Sequence, residues 1–279
     1  MPVCRLSSRV LCAAATAVLC GLCPGAFAVD QGARAQRIVS LDYCADQFVL
    51  ELAERGHIAA LSMDAQEPFS YLRDRAVGLA QVRPLAEEVL SLRPDLVVTS
   101  YGGDAALDRL LARANVPVLR VGWIEDLAGV RENLRAMGKG LGNESRAGEL
   151  LEDFDRRLQA LAENRPAARR SALYVTPGGV TGGSGTLVHE LLLAAGLDNF
   201  SARHGWQPLP LERLAYEQPD LLVTASFLED EHPWSAARHP LLKRQLSGLP
   251  AVTLPGAWTA CGGWFLIDAV EAMAAVSGA

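Results

Sequence analysis

The sequence repeats itself once, and this repeat constrains the fold more than any other feature. Residues 92–100 recur as residues 217–226, with a shared Pro-Asp-Leu core that is followed by β-branched residues. A second apolar run that ends in a glycine and a tryptophan follows each copy, and a similar opening strand precedes it. These further pairs are 116–123 with 249–258, and 37–41 with 172–176. Three matched elements in the same order predict two lobes of similar build.

Within each lobe, short β-branched runs alternate with segments that have apolar residues at helical spacing. This alternation is typical of βαβ units with parallel sheets, so the predicted fold class is α/β with two Rossmann-like lobes. We place the N-terminal lobe at residues 37–124, connecting helices at 125–166 and the C-terminal lobe at 171–279. A single long α-helix at residues 144–164, with one apolar stripe, joins them.

The N-terminus has the features of a cleavable signal peptide over residues 1–28. Two arginines form a positive n-region, and residues 10–22 form an apolar stretch too short to span a bilayer. Residues 26–28, Ala-Phe-Ala, offer small side chains at the two positions that a signal peptidase reads. The short apolar stretch disfavours a membrane anchor, and the leucines before Cys20 and Cys23 disfavour a lipoprotein. We therefore expect export to the periplasm.

The acidic charge of the chain restricts its partners. The full chain has a net charge of −6, and the signal peptide contains two basic residues and no acid. The mature chain is therefore more acidic still, which argues against nucleic acid and anionic membrane surfaces as partners. We expect a soluble monomer.

Four segments together carry a family resemblance: the strand at 37–41, the Leu-x-Pro-Asp-Leu-Val run at 92–97, the connecting helix, and residues 185–197, which begin Gly-Thr-Leu-Val-His-Glu-Leu-Leu. On these segments the mature chain resembles the helical-backbone (class III) periplasmic substrate-binding proteins of ABC importers. The resemblance implies a cleft between two rigid lobes, without catalysis and without a permanently bound cofactor. It implies a bulky metal chelate as cargo, namely a ferric siderophore, haem or cobalamin, which is delivered to the permease.

The same resemblance assigns a docking role to one acid in each lobe. The family's transporter-docking acid lies seven residues before the proline of Pro-Asp-Leu, and Glu87 and Glu212 occupy that position here. The resemblance thus implies that both carboxylates contact the permease, where arginines would pair with them. The alternative is that each is an exposed first-turn acid that the helix dipole favours, as the neighbouring Glu88 illustrates.

Aromatic residues are concentrated where the ligand of an α/β lobe is expected, at the carboxyl ends of the strands. Such rings suit a wide, flat or greasy ligand. Alternatively, individual rings cover the cores of the lobes. The predicted ligand-binding residues in these strand-end loops are Tyr43, Asp64, Tyr101, Trp123, Phe227, Trp258 and Trp264. Trp206, in a separate loop, is predicted to bind ligand as well.

Other kinds of site are poorly supported. The glycine-rich run at 178–185 lacks the lysine of a nucleotide-binding loop, and Ser184 lacks the Gly-x-Ser-x-Gly setting of a hydrolase nucleophile. The histidines have no metal-site spacing, so we predict no resident metal, although His204 beside Trp206 is a candidate haem ligand. The competing functions are a periplasmic α/β enzyme, with Asp42 or Asp64 as general base, and a ligand sensor that uses the same two-lobe fold.

Two cysteines remain after removal of the signal peptide, Cys44 after the first strand and Cys261 after the last. Both positions lie at the cleft side of their lobes, and the oxidising periplasm favours a disulfide that ties the lobes together. The alternative is two unpaired, partly buried thiols.

Overall fold

A computed structural model describes residues 34–100, 102–176, 178–201, 203–226 and 248–277. All of them lie within one compact unit that begins at Arg34. The predicted signal peptide lies outside the described residues, and so do Tyr101 and Phe227. These three predictions therefore stay predictions.

The first lobe is built on a five-stranded sheet in which every neighbouring pair is parallel. The strands are arranged in the order β3-β2-β1-β4-β5. In chain order they are β1 (Ile38–Ser40), β2 (Ile58–Ser62), β3 (Gln81–Val82), β4 (Leu96–Ser100) and β5 (Val118–Val121). The connections contain a 3-10 turn (Arg55–His57) and the helices α1 (Tyr43–Leu52), α2 (Arg73–Ala76), α3 (Ala86–Ser91) and α4 (Ala105–Arg113).

The second lobe repeats this arrangement. Its parallel sheet consists of β6 (Ser171–Val175), β8 (Asp198–Asn199), β10 (Leu221–Ser226) and β11 (Ala251–Pro255). The order β8-β6-β10-β11 corresponds strand for strand to β2-β1-β4-β5 of the first lobe. The strands β7 (Val180–Gly182) and β9 (Trp206–Pro208) pair antiparallel in a separate ribbon. The helical segments among the described residues of this lobe are α7 (Leu187–Ala194), α8 (Leu211–Leu214), a 3-10 turn (Gly256–Trp258) and α9 (Leu266–Ser277). The predicted α/β fold with two parallel-sheet lobes is thus confirmed.

Both faces of each sheet are covered, which explains why the strands are nearly continuous apolar runs. Successive side chains of a strand point to opposite faces of the sheet. Ile38 and Val98 therefore join one buried cluster, while Val39 and Val97 join another on the opposite face. The strands of the second lobe divide their side chains between two clusters in the same way.

Helices α5 (Leu127–Gly140) and α6 (Glu144–Glu163) connect the lobes. Helix α6 has 20 residues and is therefore about 30 Å long. Leu150 and Leu151 pack in the core of the first lobe, whereas Phe154, one turn later, packs in the core of the second. One helix is thus part of both cores. Among the described residues, no helix is both long and apolar enough to cross a bilayer.

The segment before α9 crosses back to the first lobe. Cys261, Trp264 and Phe265 belong to the buried cluster that contains Phe48 of α1, whereas α9 itself packs in the second lobe. Residues 171–279 are therefore not packed entirely within one lobe, although the sequence boundaries treat them as one domain.

Candidate functional site

A cleft of about 340 Å³ is lined by residues of both lobes. The first lobe contributes the ends of β4 and β5, and the second contributes β6, the start of α7 and residues 204–206. Strand ends thus form much of its wall, as expected for the carboxyl edges of parallel sheets. The volume lies in the range of small-molecule binding sites.

Trp123 forms part of the first-lobe wall and is 54% exposed. It follows β5 after one residue, Gly122, and its position depends on Asn133 of α5. The Gly122 N–H donates to Asn133 Oδ1 over 2.8 Å, and Asn133 Nδ2 donates to the Gly122 carbonyl over 3.3 Å. The Trp123 indole N–H then donates to Glu125 Oε1 over 2.9 Å. These contacts fix the backbone before Trp123 and orient its ring, and Glu125 itself lines the cleft.

Trp206 and His204 form part of the second-lobe wall. Trp206 opens β9 and is 50% exposed, and the side chain of His204 is exposed as well. His204 Nδ1 lies 3.5 Å from Ser184 Oγ, at the distance limit of a hydrogen bond. The imidazole is therefore available for a further hydrogen bond or for coordination.

Tyr174 of β6 also lines the cleft, although it is only 4% exposed. Burial raises the pKa of its phenol to about 12. A tyrosine hydroxyl is protonated at neutral pH in any case, and the raised pKa extends this form, which has a proton to donate, to higher pH.

A family model described as periplasmic binding protein matches residues 38–244, which is well over half of the chain. The chain belongs to the periplasmic binding protein family. This result confirms the resemblance that the sequence segments carry, and it identifies a binding protein and not an enzyme. Proteins of this kind deliver their ligand to an ABC permease. A search of curated protein sequences gives no significant match.

Solved structures of periplasmic binding proteins share the fold. A periplasmic haem-binding protein from Pseudomonas aeruginosa is 24% identical with a TM-score of 0.67, over 87% of this chain and 92% of that one. The periplasmic haem-binding protein RhuT from Roseiflexus sp. RS-1 is 21% identical, with a TM-score of 0.68 over 87% and 99%. CeuE of Helicobacter pylori, in complex with nickel and histidine, is 17% identical, with a TM-score of 0.67 over 88% and 84%. At these identities the similarity shows the fold alone.

Four of the residues predicted to bind ligand do not line this cleft of the binding protein. Trp264 is 9% exposed and packs edge-on against Phe48, with ring centroids 5.6 Å apart. Trp258 packs against the core of the second lobe, and Tyr43 packs edge-on against Phe69. Asp64 lies exposed in the turn after β2, where its N–H donates to Ser62 Oγ. The three aromatic residues of this group thus fit the alternative that individual rings cover the lobe cores. A ring that packs in a core removes more apolar surface from water than a ring that stays exposed at a cleft.

Asp42, the first candidate base of the enzyme alternative, has a structural role. Its carboxylate caps α1 by accepting the Ala45 N–H at 2.9 Å. It also accepts hydrogen bonds from Thr99 Oγ1 and from the N–H and hydroxyl of Ser100. Both carboxylate oxygens are therefore occupied in joining α1 to the end of β4.

Glu87 and Glu212 lie at corresponding places in the two lobes. Glu87 is in the first turn of α3 and Glu212 in the first turn of α8, and both are exposed. Neither carboxylate has an ion pair or hydrogen bond within the described ranges. Glu88, in contrast, pairs with Arg83, whose guanidinium lowers the pKa of the Glu88 carboxyl. The two neighbouring acids on α3 therefore differ in their availability to a partner.

The structure joins Cys44 and Cys261 in a disulfide, with Cα atoms 5.5 Å apart, and both residues line the cleft. Around the cleft and elsewhere in the described residues, no group of three or more histidine, cysteine, aspartate or glutamate side chains could hold a metal ion.

Sequence reasoning missed several polar residues of the cleft, among them Glu125 and Tyr174. Glu125 follows Trp123 by two positions, and this spacing after a strand end was the only available signal. Tyr174 lies inside β6, and nothing in the sequence distinguishes it from a core residue, because the alternation of strand side chains does not reveal which face approaches the other lobe.

Proposed function

We propose that this binding protein captures a bulky metal chelate in the interlobe cleft and delivers it to the permease of an ABC importer. The observation that carries the proposal is the pair Trp123 and Trp206. Each is about half exposed, and they come from different lobes but line the same cleft. Large exposed rings in a concave site provide the apolar contact area that a wide, flat ligand needs.

The cargo belongs to one of three classes: a ferric siderophore, haem or cobalamin. Several solved structures with this fold are named as haem-binding proteins, which makes haem the first candidate. His204 beside Trp206 supports this candidate, because a neutral imidazole is an axial ligand of haem iron. The CeuE complex with nickel and histidine shows why other metal complexes belong in the test. In each case the chelate is transported and is not a permanent cofactor.

A titration of the purified protein with haemin, ferric desferrioxamine and cyanocobalamin tests the proposal, with tryptophan fluorescence and calorimetry as readouts. We expect a dissociation constant of roughly micromolar or lower for one of them. Trp123→Ala and Trp206→Ala should each weaken that binding about tenfold or more, since each removes a ring contact and its buried area. Tyr216→Ala is the matched control, because Tyr216 is 91% exposed and does not line the cleft. Saturable binding of a sugar or amino acid, with no response to any chelate, would contradict the proposal.

We also propose that Glu87 and Glu212 are the permease contacts. Their support is the equal offset in the two repeats, their exposure, and the lack of a partner for either carboxylate in the part of the chain that the structure describes. Two exposed acids, one on each lobe, would suit arginine pairs on a permease with two related halves.

The family implies a periplasmic location. We propose that a signal peptide over residues 1–28 directs the export, and that the mature protein is a monomer in which Cys44 and Cys261 remain bonded.

A further inference from the structure

We infer that the β7–β9 ribbon of the second lobe selects the ligand, and that Gly183 is the positioning residue that holds its His204–Trp206 end at the cleft. The inference rests on the proposed function, because it concerns the same cleft.

The ribbon is an addition to the duplicated framework. In the first lobe, only residues 41 and 42 separate β1 from α1. In the second lobe, residues 176–186 separate β6 from α7, and this longer connection contains β7. The addition therefore lies at the carboxyl end of β6, where ligands of α/β sheets bind. Its partner β9 pairs in the register Gly182 with Trp206, which brings Trp206 to the glycine-rich end of the connection.

Two backbone hydrogen bonds continue the ribbon past this register. The Gly183 N–H donates to the Gly205 carbonyl over 3.0 Å, and the Gly205 N–H donates to the Ser184 carbonyl over 2.9 Å. The approach is so close that a Cβ atom on Gly183 would lie 1.6 Å from the carbonyl oxygen of Arg203. That oxygen belongs to the backbone and cannot rotate away, so any side chain at position 183 must displace residues 203–206.

Gly185 makes a second close approach. A Cβ atom there would lie 2.2 Å from His204 Cε1, and Gly185 has a φ of +75°, which side chains other than glycine rarely adopt. Glycine is therefore required at 183 and 185 for the packing of the neighbouring segment. This requirement accounts for two of the glycines in the run without a phosphate ligand.

The side chain of Gln207 also holds this segment in place through hydrogen bonds. Its side chain is 8% exposed, and its amide donates to the Arg203 carbonyl over 2.9 Å and to Ser201 Oγ over 2.8 Å. The backbone of residues 203–206 is thus fixed by Gly183 and Gln207, while the side chains of His204 and Trp206 remain exposed at the cleft. Because this segment is already ordered, it loses little conformational entropy when a ligand binds. Its fixed shape is also the shape that a ligand has to match.

Gly183→Ala tests the inference, with Gly178→Ala as the matched control in the same glycine-rich run. A Cβ atom on Gly178 would approach only Thr176 Oγ1, at 3.9 Å. Hydrogen exchange at the backbone amides of residues 203–207 is measured without ligand. Affinity is measured for whichever of haemin, ferric desferrioxamine and cyanocobalamin binds the wild type most tightly. In Gly183→Ala we expect exchange at least tenfold faster and affinity at least tenfold lower. In Gly178→Ala both should stay within twofold of the wild type.

Gln207→Leu provides a second route, should Gly183→Ala fail to fold, because it removes both side-chain hydrogen bonds without adding atoms at the glycine run. It should change exchange and affinity in the same direction. Unchanged exchange in the folded variants would overturn the inference, and so would faster exchange with unchanged affinity. If the wild type binds none of the chelates while Gly183→Ala still accelerates exchange, the proposed function fails and the positioning role of Gly183 is supported.

Discussion

At the scale of single residues, the described tryptophans serve two different purposes. Trp123 and Trp206 are about half exposed at the cleft, whereas Trp264 is buried between Phe48 and Phe265. In the sequence each of the three directly follows a glycine, so this local pattern does not separate them. The distinction arises because residue 264 lies in the segment that crosses to the first lobe, where its ring fills the core.

Asp46 is a buried acid whose ionisation should limit stability at neutral pH. It lies in the first turn of α1, is fully buried, and accepts hydrogen bonds from the N–H and hydroxyl of Ser62. Burial raises the pKa of its carboxyl to about 6, although the hydrogen bonds from Ser62 oppose this shift. The folded state therefore holds the proton more tightly than the unfolded chain, whose aspartate pKa is about 3.9. Stability from this group is fully present below pH 4 and is lost as the pH rises through about 6.

Asp46→Asn should remove this dependence while keeping an acceptor and a donor for Ser62. Relative to the wild type, the free energy of unfolding of the variant should rise by about 2 to 3 kcal/mol between pH 4 and pH 7.5. Urea unfolding of both proteins at a series of pH values measures the difference. Asp64→Asn, at an exposed position, controls for the general effect of removing one charge. Parallel stability profiles for Asp46→Asn and the wild type would contradict the prediction.

Charge reversal at Glu87 or Glu212 should abolish uptake without affecting ligand binding. The expected loss follows from replacing an attraction to permease arginines by a repulsion, while both residues lie outside the cleft lining. Uptake of labelled cargo by cells that carry Glu87→Arg or Glu212→Arg measures the effect. Ligand affinity of the purified variants should stay within about twofold, which is under 0.5 kcal/mol.

Glu88→Arg is the control for this experiment, because Glu88 is adjacent on α3 and is already paired with Arg83. It should reduce uptake less than Glu87→Arg does. Full uptake by both the Glu87 and Glu212 variants would exclude the docking role. Weakened ligand binding by the purified variants would mean that these acids lie at the ligand site and not on the surface that faces the permease.

At the scale of elements, the aspartate of each Pro-Asp-Leu copy fastens the first strand of its lobe. Asp95 accepts hydrogen bonds from the N–H groups of Gln36 and Arg37, which lead into β1. Asp220 accepts the N–H of Ser171, the first residue of β6. The repeated aspartate thus has the same structural role in both lobes. It accepts hydrogen bonds from backbone N–H groups where the central strand of each sheet begins.

Asp95→Ala should therefore destabilise the protein more than Asp220→Ala does. Asp95→Ala removes two charge-assisted hydrogen bonds to the backbone, and we expect it to lower the free energy of unfolding by about 1 to 3 kcal/mol. Asp220→Ala removes one such bond, and we expect roughly half of that loss. Urea unfolding measures both. Asp74→Ala serves as the control, because the Asp74 side chain is 98% exposed and its contact with Arg73 is 4.0 Å long. Equal losses at positions 95 and 220 would contradict this account.

At the scale of the whole molecule, several connections hold the two lobes in one arrangement. Helix α6 packs in both cores, and the Cys44–Cys261 disulfide joins the start of α1 to the segment before α9. The Tyr71 hydroxyl of the first lobe donates to Asp268 on α9 over 2.8 Å. Arg157 of α6 donates to Asp268 and Glu271 over 2.6 Å each. Ligand binding should therefore involve little hinge motion, in contrast to binding proteins that close around a flexible hinge.

Removal of the disulfide should lower stability strongly. The bond spans 217 positions of sequence, and the chain-entropy model gives about 5 kcal/mol for a loop of this length. Urea unfolding of the exported protein with and without reductant measures the effect, and the double variant Cys44→Ser, Cys261→Ser should behave as the reduced protein does. Thiol titration of the denatured, unreduced protein should find no free thiol. Two free thiols would contradict the bond.

The sequence by itself determined the framework of this protein. The duplicated Pro-Asp-Leu segments and the alternation of strands and helices specify two parallel-sheet lobes, since local periodicity and repeated turns act over short distances along the chain. The strand ends also indicated where a cleft would lie and pointed to Trp123, whereas Trp206 belongs to a separate loop of the sequence.

Only the tertiary structure decided which strand-end residues share the cleft. Trp264 and Trp258 differ from Trp123 and Trp206 through the packing of residues far apart in sequence, such as Phe48 against the segment before α9. Likewise, the role of Gly183 depends on the close approach of the Arg203 carbonyl group, which the sequence does not indicate. These outcomes depend on how the lobes and loops pack together, and no local pattern of residues encodes that packing.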